Sequence, residues 1–102
     1  MKRFLISYTF RLDRESEAAW QRRVAEFISA IDGDPELRGR IKYRCMKVRD
    51  GANYYHLAEA ADESAIQALQ QREFFKSYTE ETRRVAGGEV TVSAIETLAE
   101  TK

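Results

Sequence analysis

Between Tyr54 and Thr97 the chain changes hydrophobic period twice, and this stretch sets what the rest of the molecule can become. Tyr54-Tyr55-His56-Leu57-Ala58 reads as a strand. Asp62 to Gly87 carries its apolar residues at helical spacing. Glu89 to Thr97 alternates again, with Val90, Val92 and Ala94 against Thr91, Ser93 and Ile95. Helices and sheets each bury one face and need a second layer to do so, and everything upstream reads as a partner for this unit.

The first strand is expected from Arg3 to Leu12, where Phe4, Ile6, Tyr8, Phe10 and Leu12 fall on one face at period two. Leu5 breaks the polar side of Ser7, Thr9 and Arg11. A helix follows from Ser16 to Ile31, with Asp13 or Ser16 as its cap. Trp20, Val24, Phe27 and Ile31 form its core stripe. Arg22, Arg23 and Glu26 fall largely off that stripe and are expected in solvent. Gly33 reads as a left-handed stop. Asp34-Pro35 then opens one short turn that ends at Gly39.

Ile41 to Arg49 and Asn53 to Ala60 make the next two strands, with Asp50-Gly51 as a type I′ hairpin signal. If those two residues are the whole loop, Cys45 faces His56, Met46 faces Tyr55 and Arg44 faces Leu57. A four-residue loop would shift these partners but keep the faces; a three-residue loop would swap the faces. Asp62 caps the second helix, and Ile66 and Leu69 point inward. A break is expected around Gln71-Arg72-Glu73. Beyond it Phe74, Phe75, Tyr78, Thr82 and Val85 share one side, and Glu80 and Arg84 are placed for an ion pair on the other. Gly87-Gly88 ends the helix.

The order is βαββαβ. The expected fold is α+β and ferredoxin-like: a four-stranded antiparallel sheet with its helices on one face. The other face is too apolar for open water, so a second copy pressed against it, a homodimer through the sheet faces, is expected.

At 102 residues the chain suits one ferredoxin-like domain spanning 1–102. Lys plus Arg and Asp plus Glu both number 17, so it lacks the basic footprint of a nucleic-acid binder. RNA recognition modules share the βαββαβ order, but Tyr54-Tyr55-His56-Leu57-Ala58-Glu59 lacks their Lys/Arg-Gly start. One Cys excludes an internal disulfide and suits a cytoplasmic location. The apolar run after Met1-Lys2-Arg3 is too short for a secretory signal or a membrane span, so no membrane partner is expected. No glycine-rich phosphate loop is present, and one His and one Cys support no metal site.

Asp34-Pro35-Glu36-Leu37, the hairpin, Tyr54 to Ala60, Asp62-Glu63-Ser64-Ala65 and Glu73-Phe74-Phe75-Lys76-Ser77-Tyr78 together resemble the antibiotic biosynthesis monooxygenase family. The resemblance covers nearly the whole chain and implies a dimeric α/β barrel, two ferredoxin-like protomers joined through their sheets. It implies oxygen chemistry on a small aromatic, quinol or polyketide-type molecule, without metal, flavin or other cofactor. Haem-degrading members carry an Asn on the first strand, a Trp on the second helix and a His on the helix after it. Ungapped matching puts Tyr8, Leu69 and Thr79 at those places, so the usual iron ligand is missing.

Two chemical constellations stand out. Cys45 and His56 are the sole residues of their types, and a two-residue hairpin loop would make them neighbours on one face; a nearby imidazolium would favour a thiolate nucleophile. The plainer alternative is a small buried Cys beside a hydrogen-bonded His, and no third orienting group is visible. His56 is also the candidate general base toward a phenol or quinol, because its ordinary pKa lies near neutrality. Of Tyr8, Tyr43, Tyr54, Tyr55 and Tyr78, the residues selected for a ligand pocket are Tyr8 and Tyr78. Arg83-Arg84 offer an anion site or simply complement the helix dipole. Two functions stay open: the cofactor-independent monooxygenase-like enzyme that the resemblance implies, and a non-catalytic ligand-binding or assembly dimer on the same fold.

Overall fold

A computed structural model describes residues 1–102. The elements run β1 (Lys2–Thr9), α1 (Arg14–Asp32), β2 (Ile41–Lys47), β3 (Asn53–Ala60), α2 (Glu63–Gln70), α3 (Glu73–Val85) and β4 (Thr91–Ile95). The sheet order is β2-β3-β1-β4 with every pair antiparallel, the ferredoxin-like arrangement expected from the sequence. No helix is long and apolar enough to cross a membrane.

Asp13 caps α1 by accepting from the Ser16 backbone N–H, and Asp62 caps α2 by accepting from that of Ala65. The expected break falls at Gln71-Arg72, and Arg72 leads into α3 without a side-chain cap. Its guanidinium instead donates through Nε to Asp34 Oδ2 at 2.7 Å, tying the turn after α1 to the α2–α3 junction.

Register places Phe4, Ile6 and Tyr8 of β1 on one sheet face with Tyr54, His56 and Ala58 of β3. Tyr43 and Cys45 of β2 join them opposite Ala58 and His56. The buried core lies on this face, where Trp20, Val24, Phe27 and Ile31 of α1 meet Ala65 and Leu69 of α2 and Tyr78 and Val85 of α3. The opposite face carries Leu5, Leu57, Tyr55, Met46 and Ile95 among Arg3, Ser7, Arg44, Glu59, Thr91 and Ser93.

Local geometry corrects several expectations. Gly33 has φ −86°, so α1 closes in the right-handed region; the left-handed residue of that connection is Gly39, at φ 76°. The hairpin turn is not type I′, which needs two positive φ values: Asp50 alone has one, 61°. Val48 N–H donates to Asn53 O, so the loop is Arg49 to Ala52. It widens symmetrically about Asp50-Gly51, so Cys45 still faces His56. β1 stops at Thr9; Phe10 and Arg11 leave the ladder to donate to the Ala52 and Val85 carbonyls, and Leu12 turns outward, 38% exposed. β2 and β4 are also shorter than expected. Glu80 and Arg84 form no ion pair. Arg23 is half-buried: its Nε donates to Glu81 at 3.1 Å and its guanidinium sits over the Tyr78 ring.

Candidate functional site

The hairpin sets His56 opposite Cys45 on β2 and opposite Ile6 on β1, under the helices. Its side chain is wholly buried, and both ring nitrogens are engaged. Nε2 lies 2.7 Å from the Tyr8 hydroxyl and 3.4 Å from Cys45 Sγ. Nδ1 makes a short hydrogen bond with the Tyr43 hydroxyl and lies 3.2 Å from that of Tyr78. The Tyr43 and Tyr78 hydroxyls are 3.0 Å apart, and Trp20 donates its indole N–H to the Tyr8 oxygen at 2.8 Å. A continuous chain therefore runs Trp20, Tyr8, His56, Tyr43, Tyr78 through the core.

Packing fixes each member. The Tyr78 ring stacks on Phe27 at 3.8 Å and on Trp20 at 5.5 Å. Phe27 meets the Tyr43 ring edge to face, and Tyr8 stacks on Tyr54. The Tyr54 hydroxyl donates to Glu17 Oε2 at 2.6 Å and accepts from Gln21. The α1 stripe thus serves as both core and scaffold: its Trp20 and Phe27 hold the rings whose hydroxyls meet at His56.

Burial dominates the electrostatics. It pushes the His56 pKa down to about 4, because no anion is close enough to repay desolvation of an imidazolium. It pushes the Cys45 thiol up to about 11 and holds the Tyr8, Tyr43 and Tyr78 phenols far above their ordinary range. Register brings Cys45 and His56 together, but both are neutral at pH 7, and a thiolate–imidazolium pair is disfavoured at each partner. The plainer alternative for this pair is the one that fits.

Beside the chain lies a cavity of about 310 Å³ between the sheet and helices α2 and α3. Its walls are mainly apolar, including Phe4, Ile6, Ile66 and Phe75, and Tyr43 and Tyr78 of the hydrogen-bonded chain also line it. The volume lies in the range of small-molecule sites. Of the residues selected from sequence, Tyr78 is on this wall. His56 is not: it stands behind Tyr43 and Tyr78, bonded to both. Tyr8 lies beyond His56 and borders a second, polar hollow of about 280 Å³. Sequence reasoning did not single out Tyr43 or Trp20. Tyr43 had a usable signal, since it lies two residues before Cys45 and so shares its face. Trp20 had none beyond its place in a core stripe. No group of three His, Cys, Asp or Glu side chains stands close enough to hold a metal ion.

No protein-family model matches the chain, and no curated protein matches it in sequence. Solved structures do match in fold. An antibiotic biosynthesis monooxygenase superposes with a TM-score of 0.74 at 12% identity, over 97% of this chain and 100% of that one. SnoaB, a cofactor-independent oxygenase from Streptomyces nogalater, gives 0.71 at 13% identity, over 97% and 94%. Rv0793 from Mycobacterium tuberculosis gives 0.75 at 12% identity, over 99% and 98%. At these identities the likeness establishes the fold, shared with proteins named as monooxygenases.

Proposed function

We propose that this chain is a cofactor-independent monooxygenase-like protein that takes a small aromatic, quinol or polyketide-type molecule into the cavity between the sheet and helices α2 and α3. One observation carries the reading: an apolar cavity walled by Tyr43 and Tyr78, whose hydroxyls are hydrogen-bonded to a buried neutral histidine. A substrate hydroxyl or acidic C–H delivers its proton to the Tyr43 oxygen as Tyr43 passes its own to His56 Nδ1. His56 then carries its other proton on Nε2, donated to Tyr8, while Trp20 also donates to Tyr8. His56 acts as base through Tyr43, Tyr78 orients the ligand, and Tyr8 is a positioning residue. The resulting phenolate or carbanion supplies the opposite charge that draws the imidazole pKa upward. That electron-rich anion reduces dioxygen directly, forming a C–O bond; loss of the second C–H proton and cleavage of the O–O bond leave one oxygen atom as a carbonyl, and the other takes up a proton returned from His56 through Tyr43 and leaves as water. The substrate supplies all the electrons, so no flavin or metal takes part.

The assembly that fits this reading is a homodimer through the open sheet face, where Leu5 and Leu57 are partnered across β1 and β3. The fold's likeness to SnoaB supports the chemistry by analogy. One observation favours the alternative, a non-catalytic ligand-binding dimer: His56 sits off the cavity wall with its pKa near 4, a weak base.

Oxygen uptake with anthrone and naphthoquinol, in the presence of a chelator and corrected for autoxidation, separates the two. The enzyme reading expects uptake and, under heavy-isotope dioxygen, one labelled atom in the anthrone-derived product. Tyr43→Phe keeps the ring but cuts the proton path, and is expected to lower kcat about 100-fold or more. A Tyr43→Phe protein with unchanged turnover overturns the role of His56. Saturable binding of both compounds without oxygen uptake leaves the binding-dimer reading in its place.

A further inference from the structure

The cavity has two charged residues on its wall, Glu59 and Arg83. They are not equivalent. Glu59 sends its side chain to the opposite sheet face, where its carboxylate accepts from Arg3 Nε at 2.8 Å, so it brings no charge into the cavity. Arg83 lies in the last turn of α3, is exposed, and makes no ion pair or side-chain hydrogen bond. It is the unmatched charge of the site.

The neutral polar groups sharpen the contrast. Thr79 spends its hydroxyl proton on the Lys76 carbonyl and Thr82 spends its own on that of Tyr78. Both are left as acceptors, which repel an anion. The Tyr43 and Tyr78 hydroxyls are committed to the His56 chain. Free donors on the wall therefore reduce to the Gln70 amide and the Arg83 guanidinium, both exposed and so at the mouth rather than the floor.

We infer that the cavity is specific for an aromatic or polycyclic molecule bearing an acidic group, a carboxylate in the first instance, with its ring system among the apolar walls and its anion held at the mouth by Arg83. The inference rests on the cavity reading above and adds the substrate's charge. A guanidinium offers paired N–H donors that match a carboxylate edge to edge. The adjacent Arg84 has the same charge at the same helix end but does not line the cavity, so it is a matched control for general electrostatic attraction.

The test is calorimetric titration of the full chain with naphthoate and with naphthylmethanol, its neutral analogue, at physiological salt. Wild type is expected to bind naphthoate more tightly. Arg83→Gln is expected to weaken naphthoate about tenfold, the scale of one charge-assisted hydrogen bond, and to leave naphthylmethanol unchanged. Arg83→Lys keeps part of the preference and Arg84→Gln keeps all of it. Equal affinities for the two ligands in wild type overturn the inference while the cavity reading stands. So does an equal loss in Arg83→Gln and Arg84→Gln. Absence of binding by either ligand overturns the cavity reading and this inference together. Melting temperatures of the variants within a degree or two of wild type, as expected for exposed side chains, tie any loss to the contact rather than to the fold.

Discussion

His56 joins stability to pH. In water an imidazole protonates near 6.5, while in its buried site His56 resists until about 4. Between those values the unfolded chain binds a proton that the folded chain refuses. Stability therefore rises with pH across that window and is lost as pH falls through it, by up to about 3 kcal/mol. The carboxylates Asp13, Asp34 and Asp62, whose pKa values are lowered by hydrogen bonds, act in the same direction but at lower pH. Urea midpoints measured between pH 4 and 7 are expected to fall with pH in wild type. In His56→Gln they flatten over the upper part of that range; an unchanged slope would show that burial does not lower the His56 pKa. Cys45 gives a second residue-level test. With its thiol raised to about 11, alkylation by iodoacetamide is slow at pH 7 and climbs about tenfold per pH unit up to that value. Fast alkylation at neutral pH would reinstate the thiolate pair. The adjacency of Cys45 and His56 was legible in the sequence because a hairpin register is local information. Their charge state was not, because it depends on Tyr8, Trp20 and Tyr78 closing over them from three other elements, with Tyr43 beside Cys45 on β2.

Among the elements, the two glycines after α1 make opposite demands. Gly39 stands at φ 76° with open space where a Cβ would project, so only backbone strain opposes a side chain there. Gly33 is right-handed, and its Cβ would meet the Ser29 carbonyl at 3.3 Å, a tight contact that a shift of a few tenths of an ångström relieves. Gly39→Ala is expected to cost about 1 kcal/mol and Gly33→Ala less than half of that, by chemical denaturation. The reverse order would mean that the Ser29 carbonyl does not give way to a Cβ. Sequence placed the α1 stop at Gly33 correctly but gave it the wrong hand, because helix propensity does not report the handedness of the next residue. The α2–α3 break was legible for a similar reason in reverse: the apolar spacing lapses around Arg72. What holds the break is not local. Arg72 reaches Asp34 and Glu36 across 38 and 36 residues of sequence. Arg72→Ala is expected to lower the urea midpoint, since it removes the ion pairs that tie the turn after α1 to the α2–α3 junction.

At the scale of the molecule, period-two strands and 3.6-period helices in the order βαββαβ were enough to reach the sheet, because right-handed crossovers and one-sided packing leave few arrangements. The cavity was beyond that reach: whether helices lie flush on a sheet or stand off it depends on side-chain volumes at a dozen contacts. The open sheet face is the remaining large-scale question. Leu5 faces Leu57, Met46 faces Tyr55, and Arg3 and Glu59 are paired beside them. Zero net charge offers little long-range repulsion between copies. A second copy on this face would remove the Leu5 and Leu57 side chains from water without touching the His56 chain, which lies on the other side of the sheet. Leu57→Asp is therefore expected to yield a folded monomer by sedimentation velocity at micromolar concentration, where wild type is expected to sediment as a dimer. A carboxylate at the centre of a self-complementary interface meets its own image, so the penalty counts twice. Because His56 and the cavity face the helices, ligand binding by that monomer distinguishes two designs. Retained affinity for naphthoate would mean each protomer holds a complete site. Lost affinity in a folded monomer would mean that pairing the sheets sets the spacing of the helices over the cavity.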